Sequence, residues 1–133
     1  MNGNDAPTGG YVDEFTADGR LVARFPRAKL NEPWGLVRAP KSFGRFGGDL
    51  LVGNFGDGTI GAYRKSSGHW VYDGSLQKAD HKPIQISGLW SLAFGNDGLA
   101  GSSRTLFFTA GPHTWVGETE QSVHGLLGAI NPA

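Results

Sequence analysis

The chain has 133 residues, which is long enough for one domain with a substantial core. Its 12 basic and 12 acidic side chains balance, so nucleic acid and membrane surfaces are not expected partners. Cysteine is absent, which excludes disulfides and thiolate metal sites, and no apolar run approaches the ~18 residues of a membrane span.

The predicted elements are all β-strands. The 22 glycines disfavour long helices, because each interior glycine costs about 1 kcal/mol relative to alanine. Alternating runs between glycine-rich turns predict strands at 10–16, 20–25, 33–39, 48–54, 58–64, 69–76, 89–95, 104–110 and 124–130. The N-terminal segment, MNGNDAPTGG, contains neither the basic nor the apolar part of an export signal.

The later strands repeat the earlier ones. Two pairs of segments match at one constant offset: 33–40 with 89–96, and 49–56 with 105–112. The interval from Trp34 to Leu50 equals the interval from Trp90 to Leu106. A constant interval between two strand pairs indicates a structural repeat. Trp34 and Trp90 are therefore expected at equivalent buried positions, with Phe15, Leu36, Leu50, Tyr63, Leu92 and Leu106 in the same packing.

The repeat divides the chain, a single domain over 1–133, into four-stranded units. A partial unit covers 10–25, a full unit covers 33–76, and a second partial unit covers 89–130. Antiparallel four-stranded units with glycine-rich turns, repeating at about 40–55 residues, are typical of β-propeller blades. The fold is predicted to be all-β with about two blades; a β-sandwich with chance similarity between its sheets is the alternative.

Several segments also resemble a known family: LNEPWGLVRAPKSFGRFGGDLLVGNFGDGTIGAY, ISGLWSLAFGN, RTLFFTAGP and HGLLGAI. Over about residues 9–131 the chain is similar to the C-terminal part of a family of bacterial proteins of unknown function related to NHL-type β-propellers. The resemblance implies a propeller fold and an extracellular or periplasmic location. It supplies no catalytic residues.

Two blades cannot close a propeller, since a ring needs about four. The uncovered sheet faces would expose more apolar surface than a soluble monomer tolerates. We therefore expect a homo-oligomer in which hairpin 10–25 of one copy packs beside sheet 89–130 of the next, as a ring or a filament. Three copies would make a six-bladed ring.

One rim of the predicted blades carries the candidate binding residues. These are Asn31, Asn54, Asp57, His113, Trp115, Glu118 and His124. In the segment NFGDG, Asn54 and Asp57 either form a turn, with Gly56 and Gly58 at positive φ, or supply oxygen ligands to a divalent cation such as calcium.

The segment 113–124 lengthens the second blade and is expected to be a surface loop. His113, Glu118 and His124 are either solvated or able to bind zinc and to act as acid and base near neutral pH. Trp115 either anchors the loop or stacks on a sugar or a partner surface.

Two functions fit these features. The first, which we favour, is a non-catalytic propeller-type module that binds a partner, chiefly other copies of itself, because no catalytic motif is concentrated in the chain. The second is a metal-dependent hydrolase or lactonase of the six-bladed propeller type with a site on the rim. The sequence contains no G-x-S-x-G motif and no phosphate-binding glycine loop before a helix.

Overall fold

The structure, a computed structural model, describes residues 9–116, 119–122 and 124–132. Its elements are β1 (Asp13–Phe15), β2 (Leu21–Arg24), η1 (Arg27–Lys29), β3 (Pro33–Arg38), η2 (Gly44–Phe46), β4 (Leu50–Asn54), β5 (Ile60–Ser66), β6 (His69–Ser75), β7 (Leu89–Phe94), β8 (Leu106–Ala110), β9 (His113–Val116), β10 (Thr119–Ser122) and β11 (Leu126–Ile130), where η marks a single 3₁₀ turn. This part of the chain contains no α-helix, so the predicted all-β class is confirmed. It also contains no helix with the length and apolar character needed to cross a bilayer.

The described strands form four antiparallel sheets. Sheet I is a four-stranded meander in the order β3-β4-β5-β6, and sheet II is a three-stranded meander in the order β7-β8-β11. Strands β1 and β2 form one hairpin, and β9 and β10 form another. The nine predicted strands are all present within a few residues of their expected bounds. The β9–β10 hairpin was not predicted, because the segment 113–124 was expected to be a loop.

Sheets I and II are equivalent in register. At the offset of the sequence repeat two sets of cross-strand pairs coincide: Leu36↔Val52 with Leu92↔Phe108, and Val37↔Leu51 with Ala93↔Phe107. A bulge interrupts the first two strands at the same place, next to Trp34 in sheet I and next to Trp90 in sheet II. The sequence repeat is therefore also a repeat of strand pairing.

The two sheets pack face to face, with β3 beside β7. Their shared core contains four large aliphatic side chains that are fully buried: Leu51, Ile60, Leu89 and Leu106. Gly35 permits the close approach of the sheets, because a Cβ at this position would lie 2.7 Å from the carbonyl oxygen of Trp90. The absence of a side chain on β3 thus brings the first strands of the two sheets together.

The β1–β2 hairpin packs on the opposite face of sheet I, in a second apolar cluster. Phe25 stacks on Trp70 with ring centroids 4.5 Å apart. The Glu14 carboxylate accepts hydrogen bonds of 2.8 Å from Lys65 Nζ and from Trp70 Nε1. These bonds lower the pKa of Glu14, and the bond from Lys65 has the larger effect. The hairpin thereby covers β4, β5 and β6, and it leaves the edge strand β3 open.

Trp34, on the first strand of sheet I, is 61% exposed, whereas Trp90 is half-buried. The prediction of a buried Trp34 is therefore wrong, because the hairpin covers β4, β5 and β6 and leaves β3 open. Phe15 and Leu36 are likewise exposed. Tyr63, Leu92 and Leu106 are buried as predicted.

Tyr63 lies in the core beneath the β1–β2 hairpin, and its hydroxyl has no hydrogen-bond partner among the described residues. Burial raises the pKa of this phenol, because the ionised form would sit in an apolar environment. We expect Tyr63→Phe to maintain the free energy of unfolding or to raise it by about 1 kcal/mol, since only an unsatisfied polar atom is removed. Urea denaturation of the two proteins measures the change. A loss of more than about 1 kcal/mol would show that the hydroxyl is hydrogen-bonded in solution.

Candidate functional site

Asn54, the last residue of β4, is buried, with 1% of its surface exposed. Its Oδ1 accepts a 3.0 Å hydrogen bond from the Asn31 N–H, while its Nδ2 donates 3.0 Å bonds to the Lys29 carbonyl and the Thr59 hydroxyl. One amide side chain therefore joins the connection before β3 to the turn between β4 and β5. Asn31 and Asn54, both predicted to lie on one rim, are in contact.

Asp57 stabilises the same turn. Its Oδ1 accepts hydrogen bonds from the Thr59 N–H at 2.9 Å and from the Thr59 hydroxyl at 2.7 Å. Gly58 has the expected positive φ of 71°. Gly56 does not, and it is instead required because Asn31 packs directly against it. The turn interpretation of NFGDG therefore accounts for both polar side chains.

A cation at this turn stays a prediction. The hydrogen bonds of Asn54 and Asp57 are made within the protein, and they satisfy these side chains without a metal ion. Across residues 9–116, 119–122 and 124–132, no three His, Asp or Glu side chains come together as a metal-binding group.

The four predicted site residues of the segment 113–124 do not all lie on the same element. His113 and Trp115 lie on β9, where they pair with Ser122 and Glu120 of β10. His124 is exposed immediately before β11. Glu118 lies outside the described residues, so the predicted zinc set of His113, Glu118 and His124 stays a prediction.

Three aromatic side chains form a cleft at the end of the two sheets. Trp34 and Trp90 meet edge to face, with ring centroids 4.7 Å apart and planes at 84°. Phe55 lies 5.0 Å from Trp90 with its plane tilted by 49°. The cleft has a volume of about 420 Å³ and is completed by Gly9, Gly10, Glu32 and Pro33.

The cleft lies on the rim that the sequence predicted to be the binding face. Phe55 belongs to the turn after β4, and Glu32 to the connection before β3. The sequence predicted Glu32 and the turn that contains Phe55 on this rim, but neither residue was chosen as a binding residue. Both tryptophans were assigned to the core. One sequence feature could have indicated Phe55 as a binding residue. The turn needs only Asn, Asp and Gly for its geometry, so an aromatic residue inside it requires another explanation.

A second cavity of about 650 Å³ lies at η2 and the connection after β6. Its lining combines apolar side chains with Arg45, Lys78 and His81. The Arg45 guanidinium already donates a 2.8 Å hydrogen bond to the Asp73 carbonyl. The Arg45 guanidinium is therefore already engaged within the protein. The aromatic cleft is the better-defined candidate site.

Comparison with known proteins finds relatives without an assigned activity. The chain is 36% identical over 122 residues to a protein of Acanthamoeba polyphaga mimivirus, covering 91% of the chain and 27% of that protein. A second protein of the same virus is 40% identical over 90 residues, covering 67% of the chain and 23% of the protein. A third is 38% identical over 81 residues, covering 60% and 15%. All three are described as uncharacterised proteins.

The chain spans about a quarter or less of the length of these viral relatives. No protein-family model and no solved structure matches it. The resemblance to bacterial NHL-type propellers therefore stays a prediction.

Proposed function

We propose that this chain is a pair of adjacent β-propeller-type blades that acts as a non-catalytic binding and assembly module and associates with copies of itself. Three features support a blade arrangement. Sheet I is a four-stranded meander, its first strand lies beside the first strand of sheet II, and the β1–β2 hairpin covers β4, β5 and β6 but leaves β3 open. In a propeller, successive blades stack in this way around a central axis.

The observation that carries the proposal is the apolar pattern on the outer face of sheet II. In sheet I the face that packs on sheet II is formed by Val37, Leu51, Ile60 and Ala62, and three of these are fully buried. The strand registers align these positions with Ala93, Phe107, Leu127 and Ala129 of sheet II. The same apolar positions that are buried in the first sheet therefore face outwards in the second.

Leu127 shows the cost of leaving this face open. It corresponds to Ile60, which has no exposed surface, yet 75% of Leu127 is exposed. Burying one leucine side chain stabilises a structure by about 1.5–3 kcal/mol. A face built from several such positions is typical of a protein interface and is unfavourable on an isolated monomer.

The chain also has a surface that matches this face. Sheet II covers sheet I with Leu92 and Leu106, whose equivalents in sheet I are Leu36 and Leu50. Leu36 is 45% exposed on the face directed away from sheet II. The β1–β2 hairpin already covers the rest of this face, so a second copy can place the part around its Leu36 against the outer face of sheet II. This contact is head-to-tail, so it forms a ring or continues as a filament.

We expect the protein to form a homo-oligomer at micromolar concentration, and Leu127→Lys to shift it towards the 14.1 kDa monomer. A charge placed in the centre of an apolar interface is left unpaired when the interface forms. Light scattering after size-exclusion chromatography measures the mass, and a six-bladed ring has three times the monomer mass.

Leu126→Lys is the matched control, because Leu126 is 54% exposed on the same strand as Leu127 but lies on the opposite face of sheet II. This variant should keep the mass of the wild type. A wild-type monomer that unfolds cooperatively would contradict the proposal. A flanking segment of a longer polypeptide would then be the natural occupant of the outer face, given the short span of the viral relatives that the chain matches.

The hydrolase hypothesis gains no support from the described residues, because Asn54 and Asp57 are engaged in turn hydrogen bonds and no metal-binding group is assembled among these residues. An extracellular or periplasmic location stays a prediction of the family resemblance.

A further inference from the structure

The aromatic cleft is separate from the outer face of sheet II. It lies where β3 and β7 begin, whereas the proposed interface lies on the outer face of sheet II. Trp34 is the most exposed ring in the cleft, with 61% of its surface accessible. Exposing so large an apolar ring is costly, and tryptophan at such a position commonly marks a binding surface.

We propose that this cleft binds an alkylated ammonium group, such as the trimethylammonium group of a choline-like molecule or of a methylated lysine side chain. The Trp34 and Trp90 rings stand nearly perpendicular, at 84°, and the Phe55 ring is tilted by 49° to that of Trp90. Rings in several orientations form a concave corner rather than a flat platform. A cation within about 6 Å of such ring faces is attracted by their quadrupoles.

The charge of the lining supports a cationic ligand. Within the described residues, Glu32 is the one ionisable residue that lines the cleft. Its backbone has a φ of 52°, a conformation that a residue with a side chain adopts only at a cost. Two backbone hydrogen bonds hold it there: Glu32 N–H donates to the Gly9 carbonyl at 3.2 Å, and Phe55 N–H donates to the Glu32 carbonyl at 2.9 Å. The fold therefore retains a carboxylate residue beside the aromatic rings.

The small number of polar groups in the lining favours an alkylated amine over other ligands. A sugar would lose many hydrogen bonds to water, and Glu32 is the one side chain among the described lining residues that could replace any of them. An unmodified ammonium group is strongly hydrated and would lose more on entering the cleft. A trimethylammonium group has no N–H to satisfy, and its methyl groups can contact the rings. The 420 Å³ volume is large enough for a ligand of this size.

The test is a titration of the 133-residue chain with choline, followed by tryptophan fluorescence or by the indole N–H signals in NMR spectra. We expect saturable binding in the millimolar range, with 3,3-dimethylbutan-1-ol, the neutral isostere of choline, binding about tenfold more weakly. Equal binding of the two compounds would show that the cleft recognises shape and not charge, and it would overturn the proposal. Failure of choline to saturate would overturn it as well.

Two variants locate the site. Glu32→Gln should weaken choline binding several-fold and leave binding of the neutral isostere unchanged, whereas Trp34→Ala should weaken both. Unchanged choline affinity in both variants would place the binding elsewhere and overturn the proposal. Titration with a trimethyllysine peptide distinguishes the two sources of the ligand, and the same peptide with unmodified lysine is the control for charge alone. An affinity about tenfold higher for the methylated peptide than for choline would identify a protein partner. The reverse order would identify a small molecule.

Discussion

Replacing Gly35 with alanine is expected to lower the free energy of unfolding by about 3 kcal/mol, the upper part of the range for overpacked cores. The added Cβ would lie 2.7 Å from the Trp90 carbonyl oxygen and 3.1 Å from the Leu92 nitrogen. Both are backbone atoms of β7, and neither can move without displacing the strand. The substitution therefore has to push the two sheets apart.

Gly53→Ala is the matched control, because Gly53 lies directly across from Gly35 in the β3–β4 pair. A Cβ at Gly53 would meet only the side chains of Leu89 and Leu92, with their methyl carbons at 3.0 and 3.3 Å. These side-chain ends can move, so we expect a loss of about 1 kcal/mol or less. Urea denaturation at one fixed protein concentration compares the two variants, since association also affects stability. Equal losses would contradict the close approach of β3 and β7.

Asn54→Ala is expected to cost about 3 kcal/mol, because it leaves partly buried backbone groups without partners. The Asn31 N–H and the Lys29 carbonyl both bond to this one side chain, and the Thr59 hydroxyl loses the hydrogen bond that it accepts from it. Alanine cannot replace any of these bonds. The variant should unfold at a lower urea concentration with an unchanged denaturant slope.

Asp57→Ala serves as the comparison at the same turn. The Asp57 side chain is exposed and bonds to Thr59, so we expect a loss of about 1 kcal/mol. Thermal unfolding with calcium and with a chelator separates the turn interpretation from the predicted cation site. If the hydrogen bonds are sufficient, the melting temperature does not respond to calcium. A calcium-dependent rise in the wild type that disappears in Asp57→Ala would establish the cation site instead.

The strands and the repeat could be predicted from the sequence because their signals are local. Alternating side chains and glycine-rich turns mark each strand within a short window of the chain. The constant offset that relates Trp34 to Trp90 also predicts the shared register, since the pairing of two strands depends on the length of the connection between them. Asn54 and Asp57 were found because Asn and Asp recur in tight turns.

The environment of each strand face was decided by the tertiary structure alone. Trp34 and Trp90 occupy equivalent places in the repeat, yet Trp34 is exposed because the β1–β2 hairpin covers β4, β5 and β6 and leaves the edge strand β3 open. Likewise, Ile60 is buried and its equivalent, Leu127, is exposed, because sheet II covers one of them and nothing in the described chain covers the other. Sequence periodicity shows that a face is apolar. Whether that face is covered depends on which distant segments reach it, and a local pattern carries no information about such contacts.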